Sequence, residues 1–287
     1  MIEMKRYILI AIAMLSLTAC KRDNGDELSD KSIFDGGHQY SQTTLDRFIY
    51  NNFQRPYNIA VTYKWIDADF EQNKFLYPPT REKVQPMLEI VKKVWIDPYV
   101  EVAGADFIKT VAPRQISLIG GYNRNTDGTI TLGFADSGMK ITLFNVDQLD
   151  ITQQQATRQY FHTIQHEYCH IINQHKPYSD EYRKITPSDY TAQWFNVKDV
   201  DALNKGFITP YAMANDIEDF AEMTSAILSM SKAQFDAKIN AVTNANGKAA
   251  LRSKEKMVAE YFKSEWNIDI YQLQDLVERR MLEVLNP

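Results

Sequence analysis

Two histidines and a glutamate with the spacing of metal-site residues lie within His166-Glu167-Tyr168-Cys169-His170. Residues four apart on an α-helix lie about 6 Å apart along one face, so both imidazoles can bind one metal ion. Glu167 then lies beside the ion without binding it, where it can take a proton from an attacking water. This HExxH pattern is expected by chance in only about one such chain in a hundred. It therefore predicts metal-dependent hydrolysis.

Two further histidines, His162 and His175, lie close to this motif. Three histidines at four-residue spacing would extend over about 12 Å of helix, too far for one ion to bind them all. The three-histidine pattern HExxHxxGxxH would need glycine and histidine where the chain has Asn173 and Lys176. We therefore expect His162 and His175 to lie around the ligands or on the surface. Cys169 should face the core, away from the metal.

A carboxylate from a later helix is the expected third ligand, as in zinc sites with two histidines and one glutamate. In residues 211–223, Glu218 and Glu222 share one helix face, and Asn215 lies near the start of that helix. If Glu218 binds the metal, Glu222 can accept a hydrogen bond from the other ring nitrogen of a ligand histidine. A solvated acidic helix face is the alternative that this segment alone leaves open.

The HExxH motif and the pattern Tyr-x3-Asn-x2-Glu-Asp-Phe-Ala-Glu, which begins at Tyr211, together resemble the metal-binding helices of anthrax lethal factor. Most of the chain resembles a family of substrate import-associated zinc metallohydrolase lipoproteins, also described as zinc-binding metallopeptidases. These resemblances imply one Zn²⁺ per chain, with Glu218 as a ligand, Tyr211 as a catalytic phenol and Glu222 as the partner of a ligand histidine. Asp219 stands where the pattern has an aromatic residue, which leaves open whether Asp219 competes for the metal.

The N-terminus has the composition of a bacterial signal peptide, which we place at residues 1–19. Lys5 and Arg6 precede an apolar run that ends in Leu-Thr-Ala-Cys, with the cysteine at Cys20. The run is shorter than the roughly 20 apolar residues that cross a bilayer. The tetrapeptide resembles a lipobox, so we expect cleavage before Cys20 and lipidation of its sulfur. A plain secretory leader is the alternative.

Residues 20–39 are polar and acidic, which predicts a flexible tether behind the lipid. The acidic stretch resembles the export signal of surface lipoproteins in Bacteroides-type bacteria. We therefore expect an outer-membrane or cell-surface location, with the membrane as a partner through the lipid on Cys20. The family resemblance adds components of a TonB-dependent importer as possible partners.

The composition is that of an ordinary globular protein, with 287 residues, 44% of them hydrophobic, and a net charge of -5. This charge provides no basic surface for a polyanion, so we expect no nucleic-acid partner. Cys169 is the only cysteine besides Cys20, which leaves no disulfide within the mature chain if Cys20 is lipidated. The fold must therefore be stabilised by its core.

The elements that must position these residues predict an α+β fold. The predicted strands are 57–65, 115–119, 129–134 and 140–146, and the predicted helices are 80–98 and a helix from Asp150 or Thr152 to about His175, with mainly helical structure after Asn215. Residues 125–128 should form a hairpin turn between the second and third strands. We expect a zincin-like domain with a small, mostly antiparallel sheet. Its N-terminal lobe would be 40–150, followed by the HExxH helix and a helical lobe in 151–287.

The sequence favours a zinc-dependent hydrolase that acts on peptides or proteins in association with nutrient import. Glu167 would be the general base and Tyr211 would donate to the developing oxyanion. Strand 140–146 is the candidate edge strand for pairing with an extended substrate. Hydrolysis of another amide is one alternative. A non-catalytic surface lipoprotein that binds substrate and holds a structural zinc is the other.

Overall fold

The computed structural model describes residues 43–65, 74–126, 128–131, 133–136 and 139–286. Its contacts form one compact unit over Thr44–Pro287. The predicted signal peptide, Cys20 and the tether of residues 20–39 lie outside the described residues. Within the described ranges, no helix combines the length and apolar character needed to cross a membrane. The division into lobes at residue 150 stays a prediction.

Among the described residues, six strands form two sheets. They are β1 (Ala60–Thr62), β2 (Gln115–Leu118), β3 (Asn123–Arg124), β4 (Ile130–Thr131), β5 (Gly133–Asp136) and β6 (Lys140–Leu143). The larger sheet has the order β1-β2-β6-β5, and β3 pairs with β4 in a separate antiparallel ribbon. The predicted turn at residues 125–128 therefore closes this ribbon, while β2 lies in the other sheet.

The prediction of a mostly antiparallel sheet is wrong. In the larger sheet β1 pairs with β2 in parallel, β2 pairs with β6 in parallel, and only β5 and β6 are antiparallel. The last three residues of β2 and of β6 are buried, and strands buried on both faces are typical of parallel sheets. The helices of residues 81–111 carry the chain back between β1 and β2, as a parallel pairing requires.

The prediction that strand 140–146 lies at an edge is also wrong. The strand found there, β6, has β2 on one side and β5 on the other, so its backbone is already paired. The short hairpin between β5 and β6 places β5 at the end of the sheet instead. Near the other end, the predicted strand 57–65 is reduced to β1, because residues 55–57 are helical.

In the described part of the first half, five α-helices precede or connect the strands. They are α1 (Thr44–Ile49), α2 (Arg55–Tyr57), α3 (Arg81–Val91), α4 (Asp97–Ala103) and α5 (Ala105–Val111). Contrary to prediction, the helix that starts after Thr80 does not stop at Pro98. A π-helical segment, Lys92–Ile96, leads directly into α4, and Pro98 is the second residue of that helix.

The HExxH motif lies in α6 (Gln154–His175). Apolar residues recur along this helix at three- and four-residue spacing and are buried, among them Phe161, Ile164, Tyr168 and Ile172. Its N-cap is Gln153, while the Asp150 carboxylate accepts hydrogen bonds in the preceding turn. The helix ends at the predicted place because Pro177 forces the residue before it into an extended conformation.

The second half is mainly helical. Its helices are α7 (Asp199–Asn204), α8 (Asp216–Ser229), α9 (Lys232–Asn240), α10 (Ala245–Trp266) and α11 (Ile270–Leu285). Helix α8 lies at the centre, because every residue from Asp219 to Ser229 is buried. It packs most extensively against α6, and it also contacts α10 and α11. The fold therefore places the acidic first turn of α8 beside the histidines of α6.

Candidate metal centre

His166 and His170 project from successive turns of α6 toward the same point. Their Nε2 atoms lie 3.0 Å apart, and the two rings are nearly perpendicular. His166 is buried and His170 is half-buried, so the pair lies below an opening rather than on an exposed surface. The four-residue spacing thus brings the two imidazole nitrogens together as a shared ligand would require.

Glu218, in the first turn of α8, completes the group. Its Oε2 lies 3.0 Å from His166 Nε2 and 3.3 Å from His170 Nε2. The Asn215 side chain caps this helix and accepts hydrogen bonds from the N–H groups of residues 217 and 218, which fixes the turn that carries Glu218.

These distances fit a zinc ion. Ligand atoms of a tetrahedral zinc site with bonds of 2.0–2.1 Å are about 3.3 Å apart, close to the separations found here. Two imidazole nitrogens and one carboxylate oxygen are also a ligand set that zinc prefers. The predicted ligands His166, His170 and Glu218 are therefore brought together, and they form one of the described groups that could hold a metal ion.

Glu222 lies one turn beyond Glu218 and approaches the other edge of the His166 ring. Its Oε1 is 2.8 Å from His166 Nδ1, and its Oε2 accepts a hydrogen bond of 2.6 Å from the Thr209 hydroxyl. Because a carboxylate only accepts, Nδ1 must carry the proton. The lone pair of His166 then resides on Nε2, where it faces His170 and Glu218.

In the metal-free protein, a proton takes the place of a cation at this site. Burial opposes the charged form of His166, but hydrogen bonds to Glu218 and Glu222 raise its pKa to about 10. Burial would likewise raise the pKa of Glu218, but hydrogen bonds from His166 and His170 lower it to about 2. A metal ion that binds at neutral pH must therefore displace a proton from His166.

Glu167 lies between the candidate ligands and strand β5 of the sheet. It belongs to neither group of candidate metal ligands, and the backbone N–H of Ala135 in β5 donates to its carboxylate. Burial raises the pKa of this carboxyl group. Gly133, also in β5, lies so close that a Cβ there would be 3.0 Å from Glu167 Cγ. The end strand thus holds Glu167 beside the metal centre.

Tyr211 lies against two of the candidate ligands, His166 and Glu218. Its ring stacks on the His166 ring with centroids 5.7 Å apart, and its hydroxyl donates to the Glu218 carboxylate. Burial and the neighbouring carboxylates raise the pKa of Tyr211, so the phenol keeps its proton at neutral pH. The Trp194 ring packs against Tyr211 at 4.8 Å between centroids and fixes its position.

Asp219 does not face the metal centre, which answers the question left open by the sequence. Its carboxylate lies 2.6 Å from Lys254 Nζ of α10, and both side chains are 0% exposed. The hydroxyls of Tyr182 and Tyr190 donate to the same carboxylate. Burial raises the pKa of Asp219 to about 6, against the opposing charge of Lys254. Asp219 is therefore paired with Lys254 in the core, and Glu218 is the carboxylate that faces the two histidines.

The remaining predicted residues occupy distinct places. His175 is exposed at the end of α6, and Cys169 is buried in the core, where burial raises the pKa of its thiol to about 12. His162 lies against Glu222 and, with His166, forms a second group that could hold a metal ion. Both groups of candidate ligands include His166. A neutral imidazole ring has one nitrogen with a free lone pair, so His166 can bind a metal ion in only one of the two groups.

Sequence reasoning missed the side chains and backbone groups that support the site from a distance. Thr209 and Lys254 lie outside both motifs, and no local spacing indicates their contacts. Gly133 carried a usable signal, because a glycine inside a predicted strand often marks a close approach of another element. The approach found here is that of α6 with Thr163 and Glu167.

Known proteins resemble this chain over most of its length. A family model described as "Putative zinc-binding metallo-peptidase" matches residues 38–271. A crystal structure of a putative zinc-binding metallo-peptidase from Bacteroides caccae ATCC 43185 is 36% identical in sequence, with a TM-score of 0.71. This match covers 88% of the present chain and 97% of that chain. Among curated proteins, none matches.

Proposed function

This chain belongs to the zinc-binding metallo-peptidase family, and we propose that it is a zinc-dependent peptidase with one catalytic zinc site. The observation that carries the proposal is the convergence of His166 Nε2, His170 Nε2 and Glu218 Oε2 within 3.0 to 3.3 Å of one another. A buried glutamate next to this group has no use in a purely structural zinc site. It therefore favours catalysis over the alternative of a non-catalytic binding lipoprotein.

His166, His170 and Glu218 would hold the zinc ion. When bound, zinc supplies a Lewis acid that polarises a carbonyl group and lowers the pKa of water. Glu222 accepts a hydrogen bond from His166 Nδ1, so Nε2 is the nitrogen that would bind the ion once its own proton is displaced. The fold thus orients the ligands before the ion arrives.

Glu167 is the proposed general base. Its carboxylate accepts a proton from the attacking water and then delivers it to the nitrogen of the leaving amine. Burial raises the pKa of the Glu167 carboxyl group, which makes the carboxylate a stronger base. The hydrogen bond from the Ala135 N–H keeps the carboxylate in its orientation. Tyr211 is the proposed donor to the oxyanion that develops on the scissile carbonyl.

Strand β5 is the proposed binding edge for an extended peptide. It pairs with β6 on one side, and it carries the N–H group that contacts Glu167 on the side of the metal centre. A peptide that pairs with β5 would run past the metal centre with its backbone hydrogen-bonded and its side chains alternating. This arrangement favours peptides over small amides as substrates.

The location stays a prediction from the sequence. A signal peptide cut before Cys20 and a lipid on that cysteine would tether the peptidase to the outer membrane or the cell surface. Association with a TonB-dependent importer is the proposed context. Metabolic labelling with a fatty acid tests the anchor, because Cys20→Ala should lose the label and leave the membrane fraction. Label that persists in this variant would contradict lipidation at Cys20.

Hydrolysis of a quenched peptide library tests the catalytic proposal. Glu167→Gln should keep zinc near one per chain and lose turnover by about a hundredfold or more, the usual contribution of a general base. Tyr211→Phe should also keep zinc and lose about 10- to 1000-fold. A wild-type protein that holds zinc and cleaves no peptide would contradict the proposal and favour the binding lipoprotein.

A further inference from the structure

His162 lies one turn before the metal-binding pair on α6, and it reaches the same carboxylate as His166. Its Nε2 lies 2.8 Å from Glu222 Oε1, the oxygen that also lies 2.8 Å from His166 Nδ1. One buried oxygen is therefore shared by two imidazole rings of the same helix. The side chain of Glu222 is 6% exposed and that of His162 is 24% exposed.

The hydrogen bonds around His162 define its tautomer. The Glu222 carboxylate only accepts, so the ring proton lies on Nε2. The Ser225 hydroxyl donates to the Glu222 backbone carbonyl, and its oxygen lies 3.1 Å from His162 Nε2, where it can accept a share of the same proton. The remaining nitrogen, Nδ1, lies 3.4 Å from the Ser229 hydroxyl and can accept from it.

Glu222 is consequently held by donors on both oxygens. His162 and His166 donate to Oε1, and Thr209 donates to Oε2 at 2.6 Å. The two histidines come from α6, while the carboxylate comes from α8. A carboxylate bound in this way has little freedom to rotate, so the ring that it orients has little freedom either.

We propose that His162 is a positioning residue of the metal centre. By donating to Glu222 it fixes the carboxylate that sets the tautomer and orientation of the metal-binding His166 ring. This inference rests on the proposed function and adds one residue to the site. Zinc affinity should fall when the donor at position 162 is removed, although this residue touches neither the metal nor the substrate.

Two substitutions separate the donor from the bulk of the side chain. His162→Gln retains a side-chain N–H that can reach Glu222, whereas His162→Leu fills similar space without a donor. His175→Gln, on the exposed end of the same helix, is the matched control. Zinc affinity is measured by competition with a chromogenic chelator, and thermal unfolding of the metal-free proteins reports separately on stability.

We expect His162→Leu to lower zinc affinity about tenfold, at the lower end of the effect of losing an outer partner of a ligand. His162→Gln should stay within about threefold of the wild type, and His175→Gln should not change. In a Glu222→Gln background, His162→Leu should have no further effect, because the carboxylate through which it acts is already gone. Lower stability alone would not produce this dependence.

Two results would overturn the inference while the proposed function stands. Unchanged zinc affinity in His162→Leu, or an undiminished loss in the Glu222→Gln background, would show that His162 does not act through Glu222. Loss of a full zinc equivalent in His162→Leu, with His170→Ala still loaded, would instead make His162 a ligand. Failure of the wild-type protein itself to bind zinc would contradict the proposed function.

Discussion

Two neighbouring carboxylates at the start of α8 have opposite surroundings. Glu218 points to α6 and meets two imidazole nitrogens below an opening to solvent, while Asp219 points to α10 and meets the ammonium of Lys254, fully buried. Successive helix residues point about 100° apart, which places the two side chains in different environments. The chain thus supplies a permanent cation to Asp219, whereas Glu218 faces two histidines and is, in the proposed function, the carboxylate for an exchangeable ion.

The two centres should therefore respond to different measurements. Removal of a group at the Glu218 centre should release metal and leave the fold intact, because that face is partly solvated. Removal of a group at the Asp219 centre should cost stability and leave metal affinity largely unchanged, because an unpaired charge in the core is expensive.

The largest effect should come from Glu218→Ala. Loss of one of three protein ligands should weaken zinc binding by more than a hundredfold, since loss of an outer partner alone costs about 10- to 100-fold. Asp219→Asn is the matched control at the adjacent position and should retain zinc. Elemental analysis after dialysis against a weak chelator measures the zinc content of both variants. If Glu218→Ala retains one zinc per chain, another carboxylate must be the ligand, and the proposed difference between Glu218 and Asp219 is wrong.

Lys254→Met should destabilise the protein by about 3–5 kcal/mol, because it leaves the buried charge of Asp219 without a partner. The double variant Lys254→Met/Asp219→Asn should recover part of this loss, since no buried charge remains. Denaturant unfolding measures the free energies, and zinc affinity is compared in the proteins that stay folded. A loss of zinc as large as that of Glu218→Ala would show that the two centres are not separate.

Zinc affinity should depend on pH through His166. Its pKa of about 10 in the metal-free protein means that zinc displaces one proton at any pH below that value. The apparent association constant should rise about tenfold per pH unit from pH 6 to 8 and level off near pH 10. Glu218, with a pKa of about 2, adds no slope in this range. Isothermal titration in two buffers of different ionisation enthalpy measures the proton release, and zero release would contradict the assignment.

Gly133→Ala should have the smallest effect, a loss of turnover of about tenfold with zinc unchanged. The new Cβ would lie 2.4 Å from Thr163 Cγ2 and 3.0 Å from Glu167 Cγ, so the base must shift. Thr163→Ser removes the obstructing methyl group and should restore part of the rate in the double variant. Steady-state hydrolysis measures the rates. Unaltered turnover would mean that the close contact with β5 does not position Glu167.

The features that the sequence predicts well are those with a local signal. The helix around the HExxH motif follows from periodicity and a proline, and the helical start near Asn215 is also present. The predicted cap of the HExxH helix at Asp150 or Thr152 is wrong, because the helix begins after Gln153. The pairing of His166 with His170 follows from their spacing on one helix, whereas the placement of Glu218 beside them follows only from the family resemblance. Their roles as zinc ligands stay predictions until a metal is measured.

The features that the sequence does not predict depend on contacts between distant segments. Whether two strands pair in parallel depends on the helical connection between them. The alternation of polar and apolar residues within a strand of four or five residues does not reveal it. The partner of Asp219 is 35 residues away on α10, and nothing near either residue indicates the pairing. The spacing within α6 predicts only that His162 lies around the ligands or on the surface. It carries no signal for the contact with Glu222 on α8.

The position of the bound metal ion is the most direct test of the proposed ligand set, His166, His170 and Glu218. Crystals of the zinc-loaded protein, measured above and below the zinc absorption edge, locate the ion by anomalous scattering. We expect one anomalous peak per chain, about 2.0–2.2 Å from His166 Nε2, His170 Nε2 and a Glu218 carboxylate oxygen. Glu167 and Asp219 should lie outside bonding distance of this peak. A peak between His162, His166 Nδ1 and Glu222, or beside Asp219, would contradict it.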